Sequence, residues 1–316
     1  MTKLLITGAT GLLGSNLVRH GATQSHEVIG VSHVPTKAPA GVTQRVFDLT
    51  NRDMTFRHLN DVQPEAIIHC AAMTNVDRCE REPAGARWLN VEATKTVAQW
   101  AMHNDARFVF ISTDSIFDGS VGHYRENDAP HPVNEYARTK LAAEEVARSL
   151  IPEALIIRTN FYGWNWKDDK SSVGEWMLGK LLRRESFAAF ADVRFGPLFT
   201  ADLSGIILEL LARKASGSFH IAARNECSKY EFANSLAEMF QLDSRSVTPI
   251  SVDDFPFGAR RPKNTSLVVE KITSFLGREM PSVEEGLRSF KRLLGEEHLS
   301  ALKNARVDRV ATAGAV

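Results

Sequence analysis

Six short apolar runs punctuate the first half of the chain, at 4–7, 28–32, 45–49, 66–72, 108–113 and 155–159. Each is rich in Val, Ile or Phe and shows little alternation, as a strand buried on both faces requires. Amphipathic stretches with helical spacing lie between them, notably 84–104 and 134–150. Strand alternating with helix predicts an α/β fold with a doubly wound parallel sheet and right-handed crossovers.

The texture changes after Arg158. Residues 161–170 are aromatic, polar and irregular, which suits either a loop over a cleft or a plain surface loop. Helical patterns return at 176–184, 200–214 and 229–240, with a short strand at 218–222. Pro256, Pro262 and the pair Arg260-Arg261 mark a second irregular segment. The tail after Leu294 reads as helical and then Ala-rich and frayed beyond about 300. The expected organisation is a nucleotide-binding domain over 1–160, with a return segment near 197–215, and a smaller lid over 161–316.

Composition narrows the function. The chain has 316 residues, 38 Lys plus Arg and 38 Asp plus Glu, so its formal net charge is zero. No basic excess points to nucleic acid or to an anionic membrane. Cys70, Cys79 and Cys227 give neither a disulfide framework nor metal-ligand spacing, so no metal is expected. No apolar run approaches the ~20 residues needed to cross a bilayer, and nothing resembles a secretory leader. The expected location is cytoplasmic.

Directly after Leu4-Leu5-Ile6-Thr7 comes Gly8-Ala9-Thr10-Gly11-Leu12-Leu13-Gly14. Strand, tight turn and helix is the context in which such glycines bind a dinucleotide. Gly8 permits the turn, Gly11 lets the backbone approach a pyrophosphate, and Gly14 lets the helix pack close. The helix start, with Thr10, Leu12 and Leu13, presents free N–H groups to the phosphates. This makes the sheet Rossmann-type.

At the end of the second run stand Ser32 and His33, with no acid to hold an adenosine ribose. Lys37 and Arg45 are near in sequence, so NADP(H) is the preferred cofactor and NAD(H) the alternative; a loop with no ribose contact is the bland reading. Asp48-Leu49 could meet the adenine. Cys70-Ala71-Ala72 would lie beside the nicotinamide ribose.

Tyr136 and Lys140 are four residues apart and share a helix face. A tyrosine has an ordinary pKa of about 10, and a neighbouring ammonium lowers it. That poises Tyr136 for general acid–base work, with Lys140 also holding cofactor hydroxyls. Thr113 ends the fifth run, where its hydroxyl can orient a substrate oxygen.

With these residues in view, the chain resembles the extended short-chain dehydrogenases/reductases, and among them the dTDP-4-dehydrorhamnose reductases. The matching pieces are the glycine motif, Ala71-Ala72-Met73-Thr74-Asn75-Val76-Asp77, Asn90-Val91, Ser112-Thr113-Asp114-Ser115-Ile116-Phe117-Asp118-Gly119, Asn134 through Glu144, Gly217 through Ala222 and Arg261-Pro262-Lys263-Asn264-Thr265-Ser266-Leu267. The resemblance implies reduction of a 4-keto group on a nucleotide-activated deoxysugar by NAD(P)H. Tyr136 would protonate the alkoxide, assisted by Lys140 and Thr113. Substrate contacts would come from Thr74, Asp114, Ser115, Phe161 and Arg261, whose guanidinium fork suits a diphosphate, though a plain surface arginine reads equally well.

Two departures concern the sugar pocket. The family usually has Tyr where Ser115 stands and Trp where Phe161 stands, which puts rhamnose itself in doubt. The expected partner is a nucleotide-sugar substrate, with a homodimer left open. The competing readings are an epimerase of the same superfamily and a non-catalytic NADP-binding regulatory subunit.

Overall fold

The computed structural model describes residues 2–24, 26–36, 38–165 and 171–295. Seven strands form one parallel sheet in the order Gly217–Ile221, Leu155–Thr159, Arg107–Ile111, Ala66–His69, Lys3–Thr7, Glu27–Ser32, Val42–Val46. The chain builds outward from Lys3–Thr7 in one direction, then returns to its other side with Ala66–His69. That reversal opens a crevice at the carboxyl ends of these two strands, the place where such sheets bind ligands. The strands are buried apolar runs sandwiched between helices, with Leu4, Ile6 and Ile68 on one face and Leu5, Ile67 and Phe108 on the other.

Several expected boundaries move, each for a local reason. The third strand is Val42–Val46 rather than 45–49; Phe47 and Leu49 are core residues delivered from the following loop, with Phe47 stacked on His58 at 4.4 Å. The run expected at 66–72 leaves the sheet after His69. The pattern at 84–104 is three pieces, Pro83–Arg87, a π-helical turn Trp88–Glu92, and Ala93–His103. The helix expected from Trp176 starts at Val173, because Ser172 and Glu175 close a capping box.

In the second half, helix Thr200–Ala212 packs on helix Leu12–Thr23, and strand Gly217–Ile221 completes the sheet. A separate aromatic core gathers Tyr162, Trp164, Phe195, Phe199, Phe232 and Phe290, with Trp164 stacked on Phe290 at 3.8 Å. Phe161–Tyr162 is a two-residue strand paired with Leu198–Phe199, so the segment expected to be irregular begins ordered. Asn16, one turn into the first helix, donates to the Trp164 carbonyl at 3.2 Å and holds that segment against the crevice. Residues 166–170, Lys37 and the tail from 296 lie outside the described residues. Among the described residues no helix is long and apolar enough to cross a membrane.

Candidate active site

The crevice is built by close backbone approach. Gly8 has φ +64°, and a Cβ there would stand 2.8 Å from the Ala71 nitrogen. A Cβ on Gly14 would stand 2.2 Å from the Gly8 carbonyl oxygen, so the helix can sit this close only without one. Thr7 Oγ1 accepts from the backbone nitrogens of Cys70 (3.1 Å) and Ala71 (3.2 Å), tying the two strand ends together. Gly11 caps helix Leu12–Thr23 and supplies no side chain, so the N–H groups of the first turn stay open to an anion. This cradle fits a dinucleotide pyrophosphate. Cys70 is half-buried, and burial pushes its thiol up to about 12. Ala71 and Ala72 are half-buried beside it.

On the expected ribose side, Ser32 is buried and its hydroxyl donates to the Val34 carbonyl (2.8 Å) while accepting from Gln44 (3.2 Å). Gln44 also donates to Thr36 at 2.6 Å, so the loop is organised without an acid. His33 and Arg45 are exposed. Asp48 is exposed and turns its carboxylate onto Thr50, at 2.9 and 2.7 Å, while the Leu49 side chain is in the core.

Asn134 caps helix Glu135–Leu150, and that helix carries Tyr136 and Lys140 to the strand ends. The Lys140 ammonium is buried, donates to the Ile111 carbonyl at 2.7 Å and lies 4.0 Å from the Phe110 ring centroid. Burial lowers its pKa to about 8, and the Glu144 carboxylate one turn on opposes that. Tyr136 is half-buried; burial pushes its phenol well above the ordinary range, against a hydrogen bond with Thr113. Burial outweighs the expected lowering by the ammonium, which is held at the strand carbonyl.

Thr113 Oγ1 donates to Asp114 at 3.1 Å and accepts from the Ser115 nitrogen at 3.1 Å. Asp114 is buried and takes further bonds from Ser115 Oγ (3.2 Å), Asn160 (3.1 Å) and Thr265 (2.7 Å). Burial nonetheless raises its pKa. Thr74 is exposed in the loop after the fourth strand, and Phe161 is half-buried.

The structure treats Arg261 differently from the expectation of an anion ligand. Its guanidinium donates to both Asp77 oxygens, at 2.7 and 3.3 Å, and to the Ala259 carbonyl at 2.9 Å. Neighbouring Arg260 is exposed, and with Arg261, Lys263, Phe257, His131 and Asp118 it lines a cavity of about 890 Å³. That cavity begins immediately downstream of the Thr113–Ser115 turn, and neither Thr113 nor Tyr136 lines it.

Sequence reasoning gave no role to Asn90, Asn160, Thr265 or Lys229. Asn90 lies in the π-helical turn, accepts from the Met73 nitrogen at 2.7 Å and donates to Thr139 at 2.9 Å, joining the crevice edge to the helix of Tyr136. Buried polar residues in otherwise apolar surroundings were the only available signal.

The profile of one family, the RmlD substrate binding domain, matches residues 1–294. The chain is 31% identical over 289 residues to a probable low-salt glycan biosynthesis reductase Agl14 of Haloferax volcanii, covering 90% of this chain and 96% of the relative. It is 32% identical over 290 residues to methionine adenosyltransferase 2 subunit beta of Xenopus laevis, covering 88% and 84%. A crystal structure of dTDP-4-dehydrorhamnose reductase from Bacillus anthracis in complex with NADP is similar at TM-score 0.82 and 28% identity, covering 93% of this chain and 99% of that one.

Proposed function

Because this chain belongs to the RmlD substrate binding domain family, we propose that it is an NADP(H)-dependent oxidoreductase that reduces a 4-keto group on a nucleotide-activated deoxysugar. The oxidoreductase class and the NADP cofactor follow from the family and from the NADP-bound Bacillus anthracis relative. The observation that carries the reaction is that helix Glu135–Leu150 brings Tyr136, and one turn on Lys140 held at the Ile111 carbonyl, to the carboxyl edge of the parallel sheet where Thr113 stands.

Gly8, Thr10, Gly11 and the N–H groups of Leu12, Leu13 and Gly14 would hold the pyrophosphate. Ser32, His33, Asp48 and Leu49 would border the adenosine, and Cys70, Ala71 and Ala72 the nicotinamide ribose. When bound, NADPH supplies the hydride that adds to the keto carbon. The carbonyl π electrons then move to oxygen, and Tyr136 donates its proton to that alkoxide. Thr113 orients the oxygen. Lys140, fixed by Ile111, places positive charge below the site and stabilises the phenolate left behind.

The remaining substrate contacts are Thr74, Asp114, Ser115 and Phe161. Arg260, rather than Arg261, would take the carrier's phosphates, since both line the cavity but Arg261 is committed to Asp77. The division into a cofactor domain over 1–160 and a substrate-binding region over 161–316 is part of this reading.

A second reading, a regulatory NADP-binding subunit, draws on the identity to methionine adenosyltransferase 2 subunit beta. One experiment separates the two: NADPH absorbance with dTDP-, GDP-, UDP- and CDP-4-keto-6-deoxy sugars. Turnover with one carrier is expected. NADPH binding without turnover on any of them overturns the reductase reading.

A further inference from the structure

Phe255 is 43% exposed and lines the cavity of about 890 Å³. Its ring lies 4.5 Å from that of Phe257 and meets Phe190 edge-on at 6.0 Å. Phe190 is fully buried and also meets Phe257 edge-on, at 5.6 Å, so the exposed ring rests on a fixed base. Phe257 carries the Arg261 guanidinium at 4.1 Å from its centroid; among the described residues no cation covers Phe255. The charges lining the cavity divide in the same way. Asp77 holds Arg261, and Asp192 and Asp253 hold Lys263 at 3.2 and 2.6 Å. Among the described residues no carboxylate pairs with Arg260. One cavity thus combines an uncovered aromatic ring with an unpaired guanidinium.

A ligand that joins a flat π system to phosphates through a short neutral linker matches both features. Bases stack on aromatic side chains largely irrespective of their identity, and a guanidinium fork suits phosphate oxygens. We propose that Phe255 is a substrate-binding residue against which the nucleobase of the carrier stacks, while Arg260 takes the diphosphate. The direction fits the reacting end. Asp118 and Gly119 line the cavity just past Ser115 in the chain, and the Gly119 carbonyl accepts from the Asn264 nitrogen at 3.0 Å. A Cβ on Gly119 would stand 2.6 Å from the Lys263 nitrogen, so the turn and the cavity wall are packed directly together. The sugar, at the far end of the diphosphate, would extend along this junction toward Thr113. Stacking of this kind selects nucleotide-borne sugars over sugars on carriers without a base, and leaves the choice among bases open. The proposal rests on the reductase reading above.

The test titrates dTDP, UDP, GDP, CDP and inorganic pyrophosphate onto the NADP-loaded full chain by calorimetry, for wild type, Phe255→Ala, Phe255→Leu and Phe255→Tyr. The readout is the pyrophosphate Kd divided by the Kd of the tightest nucleoside diphosphate. It should be about tenfold or more in wild type and in Phe255→Tyr, and fall to near one in Phe255→Ala. Phe255→Leu keeps apolar bulk without a π face and should fall in between. Each ratio is taken within one protein, so a general loss of stability does not produce this pattern; should Phe255→Ala fail to fold, the ratio in Phe255→Leu decides. In steady-state kinetics the same nucleoside diphosphate should compete with the 4-keto sugar and not with NADPH. An unchanged ratio in the variants, or a nucleoside diphosphate that does not compete with the sugar, overturns the proposal while the reductase reading stands. So does sugar turnover by a wild type that binds no nucleoside diphosphate. Phe255-dependent binding without turnover of any sugar overturns the reductase reading and leaves the base subsite in place. A wild type that shows neither binding nor turnover overturns both.

Discussion

Arg261 donates to both carboxylate oxygens of Asp77, a residue 184 positions earlier, and Asp77 also accepts from the Ala259 nitrogen at 2.9 Å. Both side chains are nearly buried, so this ion pair fastens segment 258–261 onto helix Val76–Arg81. Arg260, next in the chain, is exposed, and both arginines line the cavity. Adjacent arginines thus divide into a structural tie and a candidate ligand.

That division predicts opposite phenotypes. Arg261→Ala strands a largely buried carboxylate and should cost about 2–4 kcal/mol of stability, between surface and fully buried pairs. Arg260→Ala should stay within about 0.5 kcal/mol of wild type and raise KM for the nucleotide sugar. Denaturant midpoints beside KM values check both; a stable Arg261→Ala with raised KM would return the ligand role to Arg261.

Tyr136→Phe removes the acid and leaves the cradle at Gly8–Gly14 untouched. We expect kcat to fall by about 10²–10⁴, with NADPH affinity retained in fluorescence titration. Turnover at the wild-type rate would refute the assignment.

Lys140 sets the alkaline limb. Its folded pKa is lowered to about 8, so the ammonium is present below that pH and lost above it. If the charge stabilises the phenolate, kcat should decline as pH rises through 8. In Lys140→Arg the charge persists, so the limb should move upward although the maximum falls. A pH–kcat profile of both proteins tests this, and a common limb would assign the ionisation elsewhere.

Gly14→Ala places a Cβ against the Gly8 carbonyl oxygen, 2.2 Å away before relaxation. The helix must shift outward, at a cost of about 1–3 kcal/mol, and the first-turn N–H groups shift with it. NADPH affinity should drop at least tenfold. Wild-type affinity in this variant would remove the pyrophosphate from that turn.

The acid-free loop at Ser32 predicts tighter binding of NADPH than NADH. Ser32→Asp puts a carboxylate where the 2′-phosphate would lie and should reverse the order. Dissociation constants for both cofactors with both proteins decide it.

The site was legible where its signal is local. Gly8, Gly11 and Gly14 answer to one turn, and Tyr136 and Lys140 to one helix face, so short-range spacing located them. The parallel sheet followed from the apolar runs, and all seven of its strands overlap the expected positions, the third only at residues 45 and 46. Phe47 and Leu49 misplaced the third strand because burial, not extension, makes them apolar. The π-helical turn at Trp88–Glu92 was invisible since the apolar spacing continues through it. Asp77 and Thr265 acquire meaning only from partners 184 and 151 residues away, which no spacing rule reaches. The burial that holds the Tyr136 phenol up against the pull of Lys140 likewise comes from packing rather than spacing.

Strand Gly217–Ile221 joins the sheet beside Leu155–Thr159 long after its neighbours have been laid down. On a ribosome, six strands would therefore emerge with an unpaired border. Such a border invites association with other chains. Helix Thr200–Ala212, the layer over helix Leu12–Thr23, also arrives late. A product halted near residue 160 would be a sticky intermediate, not a free-standing cofactor binder. The first and second halves of the chain are thus tied to a shared biosynthetic fate, and recombination that exchanges them as cassettes would have to carry this strand across the junction.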